Sequence, residues 1–172
     1  SVNDSKDKEE EMLFGKFRIS PSQIFYRSSL SAAVVNLRPI VPGHVLVIPK
    51  RVVPRLSELN TEEYQDLWES VRIVQQALDK HYSAGGFNVA VQDGKSSGQS
   101  VPHVHVHLLP RVQGDFQRND DIYDHLQNWA PTEQLKQLKL QQQLEVPDDQ
   151  QRYDRTLQQM EHESQTYRDL FQ

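Results

Sequence analysis

Short hydrophobic runs separated by turn-forming residues give residues 12–111 the pattern of a β-rich domain. Each run contains β-branched or aromatic residues, which favour strands, and proline or glycine stands between several of the runs. The pattern predicts strands over residues 14–17, 23–27, 32–37, 44–48, 87–92 and 103–109.

One long helix is predicted between the fourth and the fifth of these strands. Asn60 is a good N-cap, and Glu63 completes a capping box three residues later. Hydrophobic residues follow at helical spacing, namely Tyr64, Leu67, Trp68, Val71, Val74 and Leu78. Strands on both sides of a single helix, without strict strand–helix alternation, favour an α+β fold with a mainly antiparallel sheet.

The two ends of the chain differ from this core, although its 172 residues suit one domain. Residues 1–11 are polar and mostly acidic, which predicts a disordered tail. Residues 112–147 are rich in glutamine and lack strong periodicity, which predicts a mobile loop. Residues 148–172 regain a helical pattern and predict a C-terminal helix, capped by Asp148 and Gln151.

The composition excludes several classes of protein. Because the chain has no cysteine, disulfide scaffolds, zinc ribbons and thiol nucleophiles are excluded. No apolar run approaches the ~20 residues of a membrane span, and the polar residues 1–11 do not resemble a secretory signal. We therefore expect no membrane partner and a cytoplasmic location, with the nucleus as the alternative.

Charge is distributed unevenly along the chain. The whole sequence has 24 acidic and 19 basic residues, a net charge of -5. Residues 12–111 nevertheless carry 11 basic and seven acidic residues, a net charge of +4, between acidic ends. The core charge is compatible with a small polyphosphate, whereas no basic surface for a nucleic acid is indicated.

Three histidines alternate with hydrophobic residues in the last predicted strand. Because side chains of a strand alternate between its faces, we expect His103, His105 and His107 on one face. The intervening valines would pack on the core, against the long helix. Imidazoles at intervals of roughly 7 Å influence one another's protonation, and such a row favours function over a structural accident.

Two chemistries use a row of this kind. Imidazole is a common zinc ligand. Alternatively, one imidazole acts as a nucleophile while its neighbours set its tautomer and protonate the leaving group, which would suit phosphoryl or nucleotidyl transfer. The row alone leaves both open, although the preceding Gly98-Gln99-Ser100 turn offers N–H groups and a hydroxyl to phosphate oxygens.

The HVHVHLL segment matches the signature of the histidine-triad superfamily, His-φ-His-φ-His-φ-φ with φ apolar. The segments VPGHVLVIPKR, VQDGKSSGQSVPHVHVHLLPR and GDFQRND resemble the Fhit branch of that superfamily, and the similarity extends over residues 14–123. The resemblance implies a HIT-like fold with a five-stranded, mainly antiparallel sheet, a long helix and a C-terminal helix. It also implies a homodimer in which the sheet continues from one protomer to its partner.

The same resemblance implies a reaction. Fhit-like proteins cleave dinucleoside polyphosphates, preferably diadenosine triphosphate, to AMP and ADP. His105 would be the nucleophile that forms an AMP–histidine intermediate, with His103 fixing its orientation and His44 hydrogen-bonded behind it. His107 would contact phosphate oxygens and stabilise the transition state.

Further residues are implied as substrate contacts. Gln92 and the Gln99-Ser100 turn would reach the phosphates, Asn36 would contact the ribose, and an apolar adenine slot would be formed by Phe14, Val34 and Leu46. The resemblance implies no tightly bound cofactor and no protein-bound metal; Mg²⁺ or Mn²⁺ would assist only through the polyphosphate.

Three other functions stay open at this point. One is a signalling module in which the ligand-bound protein is the active species and slow hydrolysis ends the signal. Another is a nucleoside phosphoramidase, since that branch shares the triad and the GQS segment. The third is a zinc hydrolase that uses the histidines as ligands, for which the sequence offers no carboxylate at a suitable spacing.

Overall fold

The computed structural model describes residues 12–129 and 155–172. Within these residues the strands are β1 (Met12–Phe14), β2 (Phe17–Ile19), β3 (Ile24–Arg27), β4 (Ser31–Val35), β5 (Val45–Pro49), β6 (Gly86–Val91) and β7 (Val106–Arg111). The helices are α1 (Thr61–Tyr82), α2 (Asp121–Gln127) and α3 (Leu157–Arg168). The predicted acidic tail, much of the predicted Gln-rich loop and the predicted cap at Asp148 and Gln151 lie outside the described residues.

Strands β3 to β7 form one antiparallel sheet in the order β3-β4-β5-β7-β6. Strands β1 and β2 pair with each other in a separate hairpin. The predicted α+β fold with a five-stranded, mainly antiparallel sheet is therefore confirmed. Because β7 lies between β5 and β6, the strand that carries the last histidine of the row is flanked on both sides.

Helix α1 begins where the sequence predicts. The Asn60 side chain accepts a hydrogen bond from the Glu63 N–H at 2.8 Å, and the Glu63 carboxylate accepts one from the Asn60 N–H at 3.0 Å. Of the predicted hydrophobic stripe, Leu67, Val71, Val74 and Leu78 are buried and Trp68 is partly buried. Tyr64 is the exception, since its side chain is 47% exposed and stands edge-on to Trp68 on the outer side of the helix.

One face of the sheet is covered by helices, and we call it the α1 face. Ala33, Val47 and Val106 lie in register across β4, β5 and β7, so they share this face. They belong to one buried cluster with the stripe of α1. Met160 and Tyr167 extend the cluster to α3, which belongs to the predicted C-terminal helical region and is capped by Thr156 and Gln159.

The opposite face carries the histidines, and we call it the histidine face. Val34, Leu46 and His107 lie in register across the same three strands, one residue out of phase with the α1 face. The β1–β2 hairpin covers part of this face, with Met12 and Phe14 in its buried cluster. The histidine face thus combines hydrophobic packing with polar side chains.

The prediction of a strand over residues 14–17 is wrong, because a turn stands in that interval. Strand β1 ends at Phe14 and β2 begins at Phe17. Gly15 between them has φ +58, and a Cβ at this position would lie 2.7 Å from the Val101 side chain. Only glycine accepts both the left-handed backbone and this close approach.

The last predicted strand is also shifted. Strand β7 begins at Val106, so His103 and His105 lie in the preceding segment, and it continues through Pro110 instead of ending there. Proline is tolerated because the pairing with β5 ends at Leu108, which leaves Pro110 with a partner on the β6 side only. Val104 nevertheless packs in the α1-face cluster as expected.

A short helix interrupts the stretch that was predicted as a mobile loop. In α2, Ile122 and Leu126 are buried against Leu109 and Val41. Two apolar residues four positions apart place one helical stripe on the sheet, but they are too few to establish a periodic signal in the sequence. None of the helices in the described parts of the chain is long and apolar enough to cross a membrane.

Candidate active site

The structure brings four histidines together at the start of β7. His44, His103, His105 and His107 are each at most 1% exposed. The ring of His107 lies 5.1 Å from those of both His44 and His105, measured between centroids. His107, 63 residues further along the chain, thus contacts His44 because β5 and β7 are neighbours in the sheet.

His103 is held by two backbone groups. Its Nδ1 accepts a hydrogen bond from the Gly15 N–H at 3.0 Å, and its Nε2 lies 2.8 Å from the Pro49 carbonyl oxygen. A carbonyl accepts only, so Nε2 carries the proton. Both nitrogens of His103 are therefore engaged within the protein, and its ring ties the hairpin to the end of β5.

His105 presents one unpaired nitrogen. Its Nδ1 donates a hydrogen bond to the His103 carbonyl oxygen at 2.7 Å, which fixes the Nδ1–H tautomer of the neutral ring. Its Nε2 is buried and has no hydrogen-bond partner among the described residues. The lone pair needed for a nucleophile is thus on Nε2.

His44 and His107 form a chain of hydrogen bonds that starts at a backbone amide. The Ile40 N–H donates to His44 Nδ1 at 3.0 Å, and His44 Nε2 lies 2.9 Å from His107 Nδ1. Since His44 Nδ1 accepts, His44 Nε2 carries the proton and donates it to His107 Nδ1. Neutral His107 then has its own proton on Nε2, which is buried and unpaired.

This chain corrects the position expected for His44. The expectation was a hydrogen bond behind the His103–His105 pair, but His44 bonds to His107. The physical reason is the register: Leu46 lies opposite His107 and Val45 opposite Leu108, which places His44 next to the His107 ring. His103 in turn orients His105 through its backbone carbonyl oxygen and not through its imidazole.

Burial keeps the row uncharged at neutral pH. It lowers the pKa of His105 from 6.5 to about 4 and lowers the pKa of His103 from the same starting value. The pKa of His107 is also well below its usual value, first because of burial and then because of repulsion from His105 and His44. A neutral lone pair on His105 next to a neutral N–H on His107 is the result.

The turn before the histidines is shaped by Gln99. Its side-chain amide donates to the Pro54 carbonyl oxygen at 2.7 Å and accepts from the Gly94 N–H at 2.9 Å. Both ends of the side chain are thus used inside the loop, so Gln99 supports the turn instead of offering a free side-chain donor. The Ser100 hydroxyl is buried without a partner in the described part of the chain.

Gln92 and Asn36 lie at opposite sides of the histidines. The Gln92 amide donates to the Leu126 carbonyl oxygen at 3.2 Å, while its Oε1 is buried and unpaired. The Asn36 side chain is 3% exposed; its oxygen accepts from the Arg38 N–H at 3.0 Å, and its nitrogen lies 3.3 Å from both ring nitrogens of His44. The ribose contact implied for Asn36 stays a prediction.

The three residues expected to form an adenine slot do share one buried cluster. Phe14, Val34 and Leu46 are 3–5% exposed and lie on the histidine face. The Phe14 ring stands edge-on to the His105 ring with 5.0 Å between centroids. An apolar surface therefore adjoins the unpaired nitrogen of His105.

Trp129 belongs to this cluster and was not found by sequence reasoning. Its side chain is 5% exposed, and its ring centroid lies 4.7 Å from that of His107 and 5.6 Å from that of His105. A lone tryptophan in a polar, Gln-rich stretch was the available signal, since a large aromatic side chain is costly to leave in water.

The arrangement suits nucleophilic attack rather than metal binding. His105 offers a lone pair, and His107 offers an N–H next to it, as needed for attack on an electrophile with a developing negative charge. No group of three His, Asp or Glu side chains that could hold a metal ion is found in the described residues. Both nitrogens of His103 are already engaged, so this ring is not arranged as a ligand.

Comparison with known proteins places this site in context. A family model described as HIT domain matches residues 18–114. Over 158 residues the chain is 45% identical to the bifunctional bis(5'-adenosyl)-triphosphatase/adenylylsulfatase FHIT of Arabidopsis thaliana, covering 92% of this chain and 83% of that protein. It is 44% identical over 181 residues to the asymmetrical bis(5'-nucleosyl)-tetraphosphatase of Schizosaccharomyces pombe, covering 94% and 95% of the two chains.

Solved structures agree with the fold. The crystal structure of the Caenorhabditis elegans NitFhit protein superposes with a TM-score of 0.70 at 37% identity, covering 93% of this chain and 30% of that one. The Plasmodium falciparum diadenosine triphosphate hydrolase superposes with the same TM-score at 24% identity, covering 93% and 83%.

Proposed function

The chain belongs to the HIT domain family, and we propose from this premise that it is a dinucleoside polyphosphate hydrolase that cleaves diadenosine triphosphate to AMP and ADP. The observation that carries the proposal is the pair of unpaired Nε2 atoms, a lone pair on His105 and an N–H on His107. The relatives from A. thaliana and S. pombe, named for triphosphate and tetraphosphate cleavage, support the substrate class.

In the first step, His105 Nε2 attacks the α-phosphorus of the substrate. The N–P bond forms while the bond from phosphorus to the bridging oxygen breaks, and ADP leaves with the electron pair of that bond. The proton stays on His105 Nδ1, which donates a hydrogen bond to the His103 carbonyl oxygen throughout the step. The His107 N–H donates a hydrogen bond to a phosphate oxygen and stabilises the charge that develops in the transition state.

In the second step, water attacks the phosphorus of the AMP–His105 intermediate. The O–P bond forms, the N–P bond breaks, and the electron pair returns to His105 Nε2. AMP then carries the oxygen of the attacking water together with one of its protons, and the second proton is released to solvent. The chain of hydrogen bonds from Ile40 through His44 to His107 holds the donor in place during both steps.

The proposed substrate contacts follow from the same geometry. The Ser100 hydroxyl, which has no partner among the described residues, and the Gln92 amide are proposed to bind phosphate oxygens, while Gln99 shapes the turn. Phe14, Val34 and Leu46 supply the apolar surface for the adenine, and Asn36 stays the candidate for the ribose. We propose no resident cofactor; Mg²⁺ or Mn²⁺ would bind to the polyphosphate as part of the substrate.

A homodimer is proposed through the free edge of the sheet. Among the described residues, strand β6 has β7 as its one neighbour and its Val89 is 42% exposed, whereas the β3 edge packs near α3. An unprotected edge strand favours pairing with a second copy. Sedimentation of the full chain would test the dimer, and imaging of the tagged chain would test the expected cytoplasmic or nuclear location.

The reaction is tested by product analysis in water labelled with oxygen-18. The protein is incubated separately with diadenosine triphosphate, diadenosine tetraphosphate and an adenosine phosphoramidate. We expect cleavage of the triphosphate with the label in AMP and none in ADP, because water attacks the phosphorus that His105 holds. Quenching during a single turnover should also leave AMP on the peptide that contains His105, detectable by mass spectrometry.

Each substrate and each label position separates one alternative. Label in ADP would contradict attack at the α-phosphorus through His105. Preference for the phosphoramidate would assign the chain to a nucleoside phosphoramidase activity. Loss of activity on removal of all metal, restored by Zn²⁺ and not by Mg²⁺, would support a zinc hydrolase.

A further inference from the structure

We propose that Trp129 controls the affinity of the nucleotide site, because its indole occupies the apolar slot beside His105 and His107 and has to leave before a nucleobase can enter. The inference rests on the proposed function, since it takes the slot to be the place of a base. Trp129 would therefore act on substrate binding without taking part in the chemistry.

The first support is the position of the ring. The indole stands edge-on to His107, with an interplanar angle of 87°, and tilted against His105 at 45°. It belongs to the same buried cluster as Phe14, Val34 and Leu46, the residues proposed to receive the adenine. An aromatic side chain that already packs there uses the surface on which an aromatic base would pack.

The second support is the polar atoms that this packing leaves buried. The indole Nε1, both histidine Nε2 atoms and the Ser100 hydroxyl have no hydrogen-bond partner among the described residues. A polar atom that is removed from water without a partner is unfavourable for the closed arrangement. Packing in the slot thus stabilises the apolar part of the indole but leaves the polar atoms around it without partners. A ligand with polar groups could bind those atoms, so it could displace the indole.

The third support is a donor that two groups need. The Gln92 amide donates to the Leu126 carbonyl oxygen, three residues before Trp129. The same amide is proposed to bind a phosphate oxygen of the substrate. The amide nitrogen carries two protons, so both groups can be bound at once, but a shift of the side chain toward a phosphate oxygen would lengthen its bond to Leu126. Phosphate binding would thereby loosen the end of α2 that carries Trp129.

The indole can leave the slot by rotation about its own side-chain bonds, without unfolding of α2. Ile122 and Leu126 anchor the helix on Val41 and Leu109. The indole Nε1 has no hydrogen-bond partner among the described residues, whereas the Trp129 backbone N–H donates to the Leu126 carbonyl oxygen at 3.2 Å. Rotation about the Trp129 side-chain bonds would move the indole while this backbone bond is kept and the buried stripe of α2 remains packed.

The energetic consequence is a lower affinity than the open site would have. When only a fraction of the molecules has the slot open, the apparent dissociation constant is the intrinsic constant divided by that fraction. A slot that is open about one tenth of the time weakens binding about tenfold. The effect falls on KM and leaves kcat unchanged, because the indole is absent from the slot once substrate is bound.

The direct test uses Trp129 as the reporter of its own movement. A Trp68→Phe variant retains Trp129 as its one tryptophan, since the chain has two. We expect saturating AMP to shift the emission of this variant to longer wavelength and to increase its quenching by acrylamide. Unchanged emission and quenching, or stronger protection from acrylamide with AMP, would overturn the inference, the latter because the indole would then stack on the base.

Removal of the indole gives a second readout. In Trp129→Ala, we expect KM for diadenosine triphosphate to fall about tenfold with kcat retained, whereas the matched Trp68→Phe variant on the α1 face keeps the wild-type KM. An unchanged or higher KM in folded Trp129→Ala would count against the inference. If this variant does not fold, the fluorescence of Trp68→Phe decides alone.

Failure of the inference can be told apart from failure of the proposed function. Acylation of His105 by diethyl pyrocarbonate, followed by peptide mass spectrometry, needs neither nucleotide nor turnover. We expect faster acylation of His105 in Trp129→Ala than in wild type. Equal rates would reject occlusion by Trp129 even if the triphosphate is cleaved, whereas faster acylation with no cleavage of any polyphosphate would reject the function and keep the occlusion.

Discussion

The two faces of the central sheet are built from neighbouring residues but have different roles, since one stabilises the fold and the other carries the candidate active site. On the α1 face, Val47 and Val106 pack against a helix stripe, and the cluster around them is hydrophobic. On the histidine face, Leu46 and His107 occupy the next positions of the same two strands. A shift of one residue in a strand therefore separates stabilising packing from reactive side chains.

The comparison teaches that burial has opposite uses on the two faces. On the α1 face it removes apolar surface from water and so stabilises the fold. On the histidine face it removes imidazoles from water, which keeps them neutral and leaves two of their nitrogens without partners in the described part of the chain. Such atoms destabilise the folded state. The reactive lone pair on this face is therefore accompanied by a loss of stability.

The largest expected effect comes from the change His105→Asn. It removes the Nε2 lone pair, so turnover of diadenosine triphosphate should fall roughly 10⁴- to 10⁶-fold. Binding of AMP should be retained, because the contacts around the slot remain. Single-turnover rates and AMP binding measure the two quantities, with His162→Asn on the exposed side of α3 as the matched control. An equal loss of binding and rate would contradict the nucleophile role.

A smaller effect, of the opposite kind, is expected from Leu67→Ala on the α1 face. Leu67 is fully buried, and truncation of such a side chain lowers the free energy of unfolding by about 2–5 kcal/mol. Urea unfolding measures this loss. At a temperature where the variant is folded, kcat should match wild type, and a large fall in kcat there would show that the two faces are not independent.

The smallest effect is the acid dependence that the histidine face adds to stability. Because the pKa of His105 falls from 6.5 to about 4 on folding, the unfolded chain binds more protons in this range. The contribution is fully present above pH 6.5 and is lost as the pH falls toward 4, by at most about 1.4 kcal/mol per pH unit for one histidine.

Urea unfolding at several pH values between these limits measures that slope. The matched comparison is His105→Asn, which lacks the titrating group and should show a shallower decline than wild type. Equal slopes would mean that His105 is not buried in its neutral form.

Local signals in the sequence account for the features that were predicted correctly. The start of α1 depends on Asn60 and Glu63, which lie three residues apart, and the strands carry their own β-branched runs. The identity of the histidine row likewise follows from a motif within seven residues. Each of these features is decided by neighbours in the chain.

The features that were missed depend on distant partners. The turn at Gly15 is required by Val101, and the hydrogen bond of His44 to His107 is set by the register between β5 and β7. Trp129 lies beside the histidines because α2 packs on Leu109 and Val41. The residues adjacent to these positions in the chain do not reveal their partners, which become neighbours only in the folded sheet.

Backbone groups determine which nitrogen of each histidine carries the proton. The groups that fix the tautomers of His103, His105 and His44 are the Gly15 N–H, the His103 carbonyl oxygen and the Ile40 N–H. Substitution of a side chain leaves these backbone groups in place. An alanine scan therefore does not test the hydrogen bonds that fix the tautomers. Replacing single amides by esters through chemical synthesis would test them.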